Sequence, residues 1–505
     1  MTADGSGWQR LRPAAILDFA VSGLLRVVWH GWQGFLPVIA GLSLSSKRDH
    51  LLVVLGGLAA IVLALVAIGA VTAYLVFRYR LGSGEFEVRK GLLNRTSLSL
   101  SLDRVQSVSI DQPAYFRPFG LVKLKLESAG SAGQEVSLPG VDRAFAQQVR
   151  QAVTETPMAG HAHAPAEPVQ RPASEPQPLI RLQAGDLIRH GIASDNNWLF
   201  AALFGSVFGA MGQNAARLFE GLEGPLAALL GQGWLLGILV GGAALLFVLG
   251  AIVLLSVVSA IILFHNFQLI RLPQGFRRRC GLLETRESVL LDSKVQCMTV
   301  RQSWAALLMQ RHAAEVVQVS HQGPSQSGQT GLSDRFLVPG LTAEGLDAII
   351  APLFPGVDWR TMTLTGIDRS YVWKRVQFIG LVPAGLAALG LWPWAGVWAL
   401  AVLIWPVLLI PVYWRRCQRY RCAMADGYGL VQSGFLGRQQ TLFPIDKVQA
   451  VRLSQSPFQR RHRLANLTVE LAGRHIVVPF MPLGLAQSWV NRLLYAAETS
   501  TRPWM

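Results

Sequence analysis

At 505 residues the chain has room for several cores. It is 51% hydrophobic and only 15% charged, where soluble domains carry about a quarter, so an ordinary water-soluble enzyme is disfavoured. A formal charge of +16 suits an anionic surface, and because lipid-length apolar segments are present, the inner leaflet of a membrane is favoured over nucleic acid. Four cysteines are too few for a disulfide framework and are read as reduced thiols, while 15 Trp suit water–lipid boundaries.

In chain order, residues Arg10 to Leu17 read as a short amphipathic helix lying at the interface, and Arg181 to Ile188 repeat its pattern. Three strong apolar stretches free of Asp, Glu, Lys and Arg follow at Leu51 to Phe77, Gly224 to Phe264 and Val376 to Trp414. The third is about twice the bilayer thickness and should turn back at Trp392-Pro393-Trp394. Weaker spans at Val27 to Ser46 and Asn197 to Ala216 precede the first two strong ones, giving six helices in three pairs. The stretch from Gly224 is long enough for two crossings on its own, but the repeat symmetry described next speaks against that. Basic residues such as Arg78, Arg80, Arg271, Lys374, Arg415 and Arg419 flank the spans on the domain side and make that side cytoplasmic, although Lys47 and Arg48 point the other way. No cleavable signal peptide is expected.

After each strong span the same grammar returns. Gly91, Gly281 and Gly434 open an alternating stretch that leads to Asp103, Asp292 and Asp446. A Val-Gln step follows at Gln106, Gln296 and Gln449, and a second glutamine comes six positions later at Gln112, Gln302 and Gln455. Each copy continues with an aromatic and basic segment, a short alternating strand, an apolar-Pro step at Pro139, Pro339 and Pro479, and a closing helix. The expected organisation is an interfacial helix and first pair over 1–77, a β domain over 78–153, and a disordered linker over 154–178. A second interfacial helix and pair over 179–264, a β domain over 265–355, a third pair over 356–414 and a β domain over 415–499 complete it.

This grammar resembles the bacterial membrane proteins with repeated PH-like domains, the bPH2 family and its YdbS/YdbT group, formerly a domain of unknown function. The resemblance covers nearly the whole chain and implies a partly open β-barrel with a C-terminal helix in each of three copies. It further implies links to envelope stress or toxin resistance, and a smaller single-domain PH-like homologue as a partner. No run matches the basic phosphoinositide pocket of eukaryotic PH domains, so inositol-lipid recognition does not carry over.

No phosphate-binding loop, zinc-protease helix or nucleophile elbow is present, so no catalytic, metal or cofactor residue is assigned. His161 and His163 in the linker form only a short His-x-His. Asp103, Asp292 and Asp446 suit turns better than acid–base chemistry, because no positioned partner is visible. The three second glutamines suit backbone hydrogen bonding better than ligand binding. The aromatic and basic segments carry Tyr115, Phe116 and Arg117, then Trp304 and Arg311, then Phe458, Arg460, Arg461 and Arg463. They read either as membrane or partner docking or as core rings with ordinary surface cations. The expectation is a non-enzymatic scaffold in the bacterial inner membrane that meets anionic lipid, a partner protein or another copy of itself. The rival is a transporter or channel built from the six helices, which the lack of ionisable residues in the strong spans disfavours.

Overall fold

The computed structural model describes residues 7–27, 51–82, 85–91, 95–101, 105–128, 135–155, 178–194, 234–318 and 336–499. Period-two alternation such as Leu98-Ser99-Leu100 turns one side of each strand inward, and the chain builds three β units on that pattern. The first unit has strands β1 (Gln9–Arg10), β2 (Arg78–Leu81), β3 (Glu85–Lys90) and β4 (Thr96–Ser101) in one sheet. Strands β5 (Val105–Pro113), β6 (Leu121–Ser128) and β7 (Glu135–Asp142) form a second, and the helix Arg143–Glu155 closes the unit. The second unit repeats this with β8 (Ile180–Arg181), β9 (Gln268–Leu272), β10 (Gly275–Cys280) and β11 (Glu284–Leu291). Its other strands are β12 (Val295–Gln302), β13 (His312–Gln318) and β14 (Phe336–Leu341), and it ends in the helix Ala343–Leu353. The third consists of β15 (Thr365–Gly366), β16 (Arg421–Ala425), β17 (Tyr428–Ser433) and β18 (Arg438–Pro444), then β19 (Val448–Ser454), β20 (Leu464–Leu471), β21 (Arg474–Pro482) and the helix Leu483–Thr499.

Each unit is discontinuous in sequence, which differs from the expectation that the β structure begins after the membrane segment. A two-residue strand lies before each apolar block and pairs with the strand that follows it, through Arg10 with Arg78, Arg181 with Gln268, and Gly366 with Arg421. The apolar block is therefore an insertion whose two ends meet on one hydrogen-bonded ladder.

Three helical segments among the described residues are long and apolar enough to cross a bilayer: Ala59–Val76, Gly241–Phe264 and Ser370–Arg419. The third doubles back at Gly396 (φ +53°), one residue beyond the helix that contains Trp392-Pro393-Trp394. Its arms touch where a Cβ on Gly380 would lie 3.1 Å from Pro406, and its ends meet at the Tyr371–Tyr413 ring pair. The weaker spans over 27–46 and 197–216, the linker over 154–178, His161, His163 and the loop from His321 to Asp334 lie largely or wholly outside the described residues.

The units do not stand apart. Strand β5 of the first pairs antiparallel with β11 of the second, and β12 of the second pairs with β18 of the third, so two seven-stranded sheets run across the unit boundaries. At the second boundary the alternation serves two cores. Met298, Val300, Ala423, Leu430 and Leu442 line the second unit's core, while Cys297, Cys422, Val431 and Phe443 face the third unit's core. Phe86, Phe276 and Phe443 are fully buried, each ring contributing roughly 1.5–3 kcal/mol.

Candidate functional site

The repeat-defining residues have repeated jobs. Gly91, Gly281 and Gly434 have φ of +98°, +113° and +141°, and a Cβ on Gly281 would sit 2.0 Å from the Glu284 carbonyl oxygen, so only glycine fits this turn. The second glutamines act alike: Gln112, Gln302 and Gln455 each donate from Nε2 to the carbonyl nine residues on, at Leu121 (3.3 Å), Arg311 (3.2 Å) and Leu464 (2.7 Å). That bond ties the strand before each aromatic and basic segment to the strand after it. Asp292 starts a short 3₁₀ turn and holds Arg271 through two contacts of 2.6 and 2.9 Å, while Asp446 is the middle residue of the matching turn Ile445–Lys447 in the third unit. Asp103 and the Gln106 side chain lie outside the described residues. Gln296 is buried and Gln449 exposed.

The aromatic and basic segments all pack against the helix that leads into the membrane block. In the first unit Tyr115 donates to Asp18 at 2.7 Å, and Lys123 reaches the same carboxylate at 3.2 Å. Burial together with this hydrogen bond raises the Tyr115 pKa. In the second, Ser303, which caps the helix Trp304–Leu308, donates to the Ala193 carbonyl at 2.6 Å. Arg311 pairs with Asp186 at 2.9 Å and reaches the Gly340 carbonyl at 3.3 Å. In the third, the Lys374 ammonium lies 4.0 Å from the Phe458 ring centroid.

This placement separates the docking candidates. Phe116 is fully buried, so its ring is core and not a membrane contact. Arg117 reaches across the first boundary to the Leu282 carbonyl and to Thr285 Oγ1, which makes it a contact between units. Arg311 is likewise engaged inside the protein by Asp186. Arg460, Arg461 and Arg463 are exposed, and Trp304 is 61% and Leu308 78% exposed beside the lead-in helix Ala184–Ile192. That helix runs along the apolar helix so closely that a Cβ on Gly191 would lie 2.5 Å from the Val257 Cα, which leaves Trp304 and Leu308 exposed near the start of the β unit. Sequence reasoning missed the turn residues Leu283 and Leu436, which are 58% and 53% exposed. The Leu282 amide bonds to the Ile262 carbonyl, which sets that turn at the end of the apolar helix Trp234–Phe264. At the far tip of the hairpin, Trp394 and Trp398 are 90% and 83% exposed, as suits the opposite interface.

The unit boundaries are chemically distinct. Across the first, Arg150 pairs with Glu287, and the Lys294 ammonium donates to the Val105 carbonyl at 2.7 Å. Burial at that boundary lowers the Lys294 pKa. Across the second, Lys447 donates to the Ser293 carbonyl at 3.1 Å, Thr299 and Thr441 share a hydroxyl hydrogen bond of 3.3 Å, and Arg474 lies 3.7 Å from Glu315. The basic residue just before Val-Gln is therefore a clamp on the preceding unit. Among the described residues no group of three or more His, Cys, Asp and Glu is placed to hold a metal.

Residues 34–156 and 376–497 match the family described as the bacterial PH domain, which leaves the middle unit unmatched. Over 409 residues, 78% of this chain and 79% of the relative, the sequence is 22% identical to the UPF0699 transmembrane protein YdbT of Bacillus subtilis (strain 168). No solved structure matches. The chain is thus similar over two stretches to the bacterial PH domain, and over most of its length to a transmembrane protein.

Proposed function

We propose that the chain is a non-enzymatic scaffold of the bacterial inner membrane, with three PH-like domains held on the cytoplasmic face by six membrane helices. The observation that carries this reading is the joining of successive units strand to strand, which builds one extended binding surface rather than a catalytic cleft. The closed ladders at Arg10–Arg78, Arg181–Gln268 and Gly366–Arg421 support an even number of crossings in each block, and hence all domains on one side. Exposed Trp304, Leu308, Leu283 and Leu436, with Arg460, Arg461 and Arg463, form the surface that meets anionic lipid. A smaller single-domain PH-like protein is a natural partner for such a surface, and a role in envelope stress or toxin resistance fits a scaffold of this kind.

The test places a photocrosslinking residue at Trp304 or at Arg452 of the full chain in native membranes, alongside a solute-flux assay on reconstituted liposomes. The expected result is lipid adducts at Trp304, discrete protein adducts at Arg452 and no protein-dependent flux. Specific solute movement, or substrate turnover that requires Asp292 or Asp446, would overturn the scaffold reading.

A further inference from the structure

The two unit boundaries use one register. Ser109 pairs with Ser288 at the first and Thr299 with Thr441 at the second, each three residues before the second glutamine of its repeat and seven after the turn glycine. The corresponding edges at the two ends of the array, β4 and β19, have no such partner among the described residues. Their exposure shows it. In β12 the six residues from Val295 to Val300 are buried, whereas in β19 Gln449, Ala450, Arg452, Leu453 and Ser454 are exposed. In β4 Thr96, Ser97 and Ser99 are exposed, whereas the matching Gln439, Gln440 and Leu442 of β18 are half-buried or buried. Free edges are usually blocked by proline, bulges or inward charges, yet β4 is built only from Thr, Ser and Leu, and β19 carries a single charge, Arg452, and the Val448/Ala450 register shift that β12 also has, at Val295/Cys297, while pairing with β18.

From these edges we propose that β19 of one copy pairs antiparallel with β4 of a second copy, so that chains join head to tail through the contact that joins their own units. The proposal rests on the reading of this chain as an edge-joining scaffold. The side chains around the two free edges fit that occupant. Arg460 stands five residues after Gln455 as Arg117 does after Gln112, and Arg117 is the residue that crosses the first boundary to β11 and its preceding turn. The Arg150–Glu287 pair of the first boundary corresponds to Val490 and Ser97 at the free ends, so neither half of that pair is left unmatched, and Arg452, which takes the place of Thr299, has Glu470 of its own unit 3.7 Å away. The second boundary already replaces the same pair with Ile350 and Gln440. Units anchored in the membrane already make this contact twice within the chain, so anchoring does not forbid a third. Asp111 opposite Arg286, and Arg301 opposite Gln439, fix the expected register: Ser454 opposite Thr96, and Arg452 opposite Leu98. Such a contact is heterologous and propagates into rings or strings.

The experiment is disulfide crosslinking of the full chain in native membranes with Ser454→Cys and Thr96→Cys on differently tagged copies. All four native cysteines are buried, which keeps the background low. The expected result is a crosslink between Ser454→Cys and Thr96→Cys, a ladder when both are on one chain, and none for either alone. A second measurement compares the native mass of the wild type in nanodiscs with a Ser97→Lys, Ser99→Lys variant, whose lysines on the edge should reduce the multimer by about tenfold. A monomeric wild type, an unchanged mass in the variant, or self-crosslinking of Ser454→Cys would overturn the head-to-tail contact. Crosslinking of Ser454→Cys only to a different protein would overturn the second copy as occupant while leaving the scaffold reading intact. Solute flux would fail the scaffold reading itself.

Discussion

The hydroxyl pair at the second boundary offers a double-mutant cycle. Thr299 is fully buried and Thr441 nearly so, and their Oγ1 atoms are 3.3 Å apart across the β12–β18 ladder. Thr299→Val or Thr441→Val keeps the side-chain shape but strands the remaining hydroxyl in a dry interface, at a cost of about 1–3 kcal/mol. Replacing both removes the stranded group and adds apolar area, so the double variant should lie within about 1 kcal/mol of the wild type, with a coupling of at least about 1 kcal/mol. Pulse proteolysis of the full chain in nanodiscs over a urea series, reading fragments cut near the boundary, supplies the four stabilities. Additive single effects, with the double variant as unstable as their sum, would refute the pairing of these two strands.

Other outcomes follow from the same geometry. Gln455→Ala deletes the 2.7 Å bond to the Leu464 carbonyl and should cost about 1–2 kcal/mol in the same assay while leaving anionic-vesicle adducts at Trp304 unchanged. Burial pushes the Cys297 and Cys422 thiols up to about 12 from an ordinary value of 9.0. Their stabilising effect is therefore complete below pH 9, where folded and unfolded thiols are both neutral. It falls by about 1.4 kcal/mol per pH unit per thiol as pH rises from 9 towards 12, which a urea series at pH 8, 9.5 and 10.5 measures. An environment-sensitive dye on Leu308→Cys should emit as in lipid in nanodiscs, and emission as in water would contradict the placement of that helix.

The repeat grammar made much of this legible. Glycine at the tight turn, aspartate at the 3₁₀ start and glutamine bonding to the backbone are local requirements that spacing alone displays. The same holds for the helix beginning after Thr342, whose side chain accepts the Gly345 amide at 3.2 Å. The two-residue strands before the membrane blocks were hidden, because a pair such as Gln9–Arg10 is too short to show period two and finds its partner some seventy residues on. The joined sheets were hidden for a related reason: pairing of Ser109 with Ser288 is a tertiary fact with no local signal. Cys297 and Ala423 seemed unremarkable because burial on both faces of a strand removes the alternation that marks one buried face. Arg117 and Arg311 read equally as docking cations or ordinary surface ones, since a sequence shows a charge but not the carbonyl or carboxylate that engages it.

Sidedness tests the central claim most directly, because strands cannot pair across a bilayer. Single cysteines at the exposed positions Glu85, Arg279 and His462, one in each unit, are to be labelled with an impermeant maleimide in right-side-out and inverted membrane vesicles. All three should react only from the cytoplasmic side. Reaction of any one from the opposite side would break the joined array.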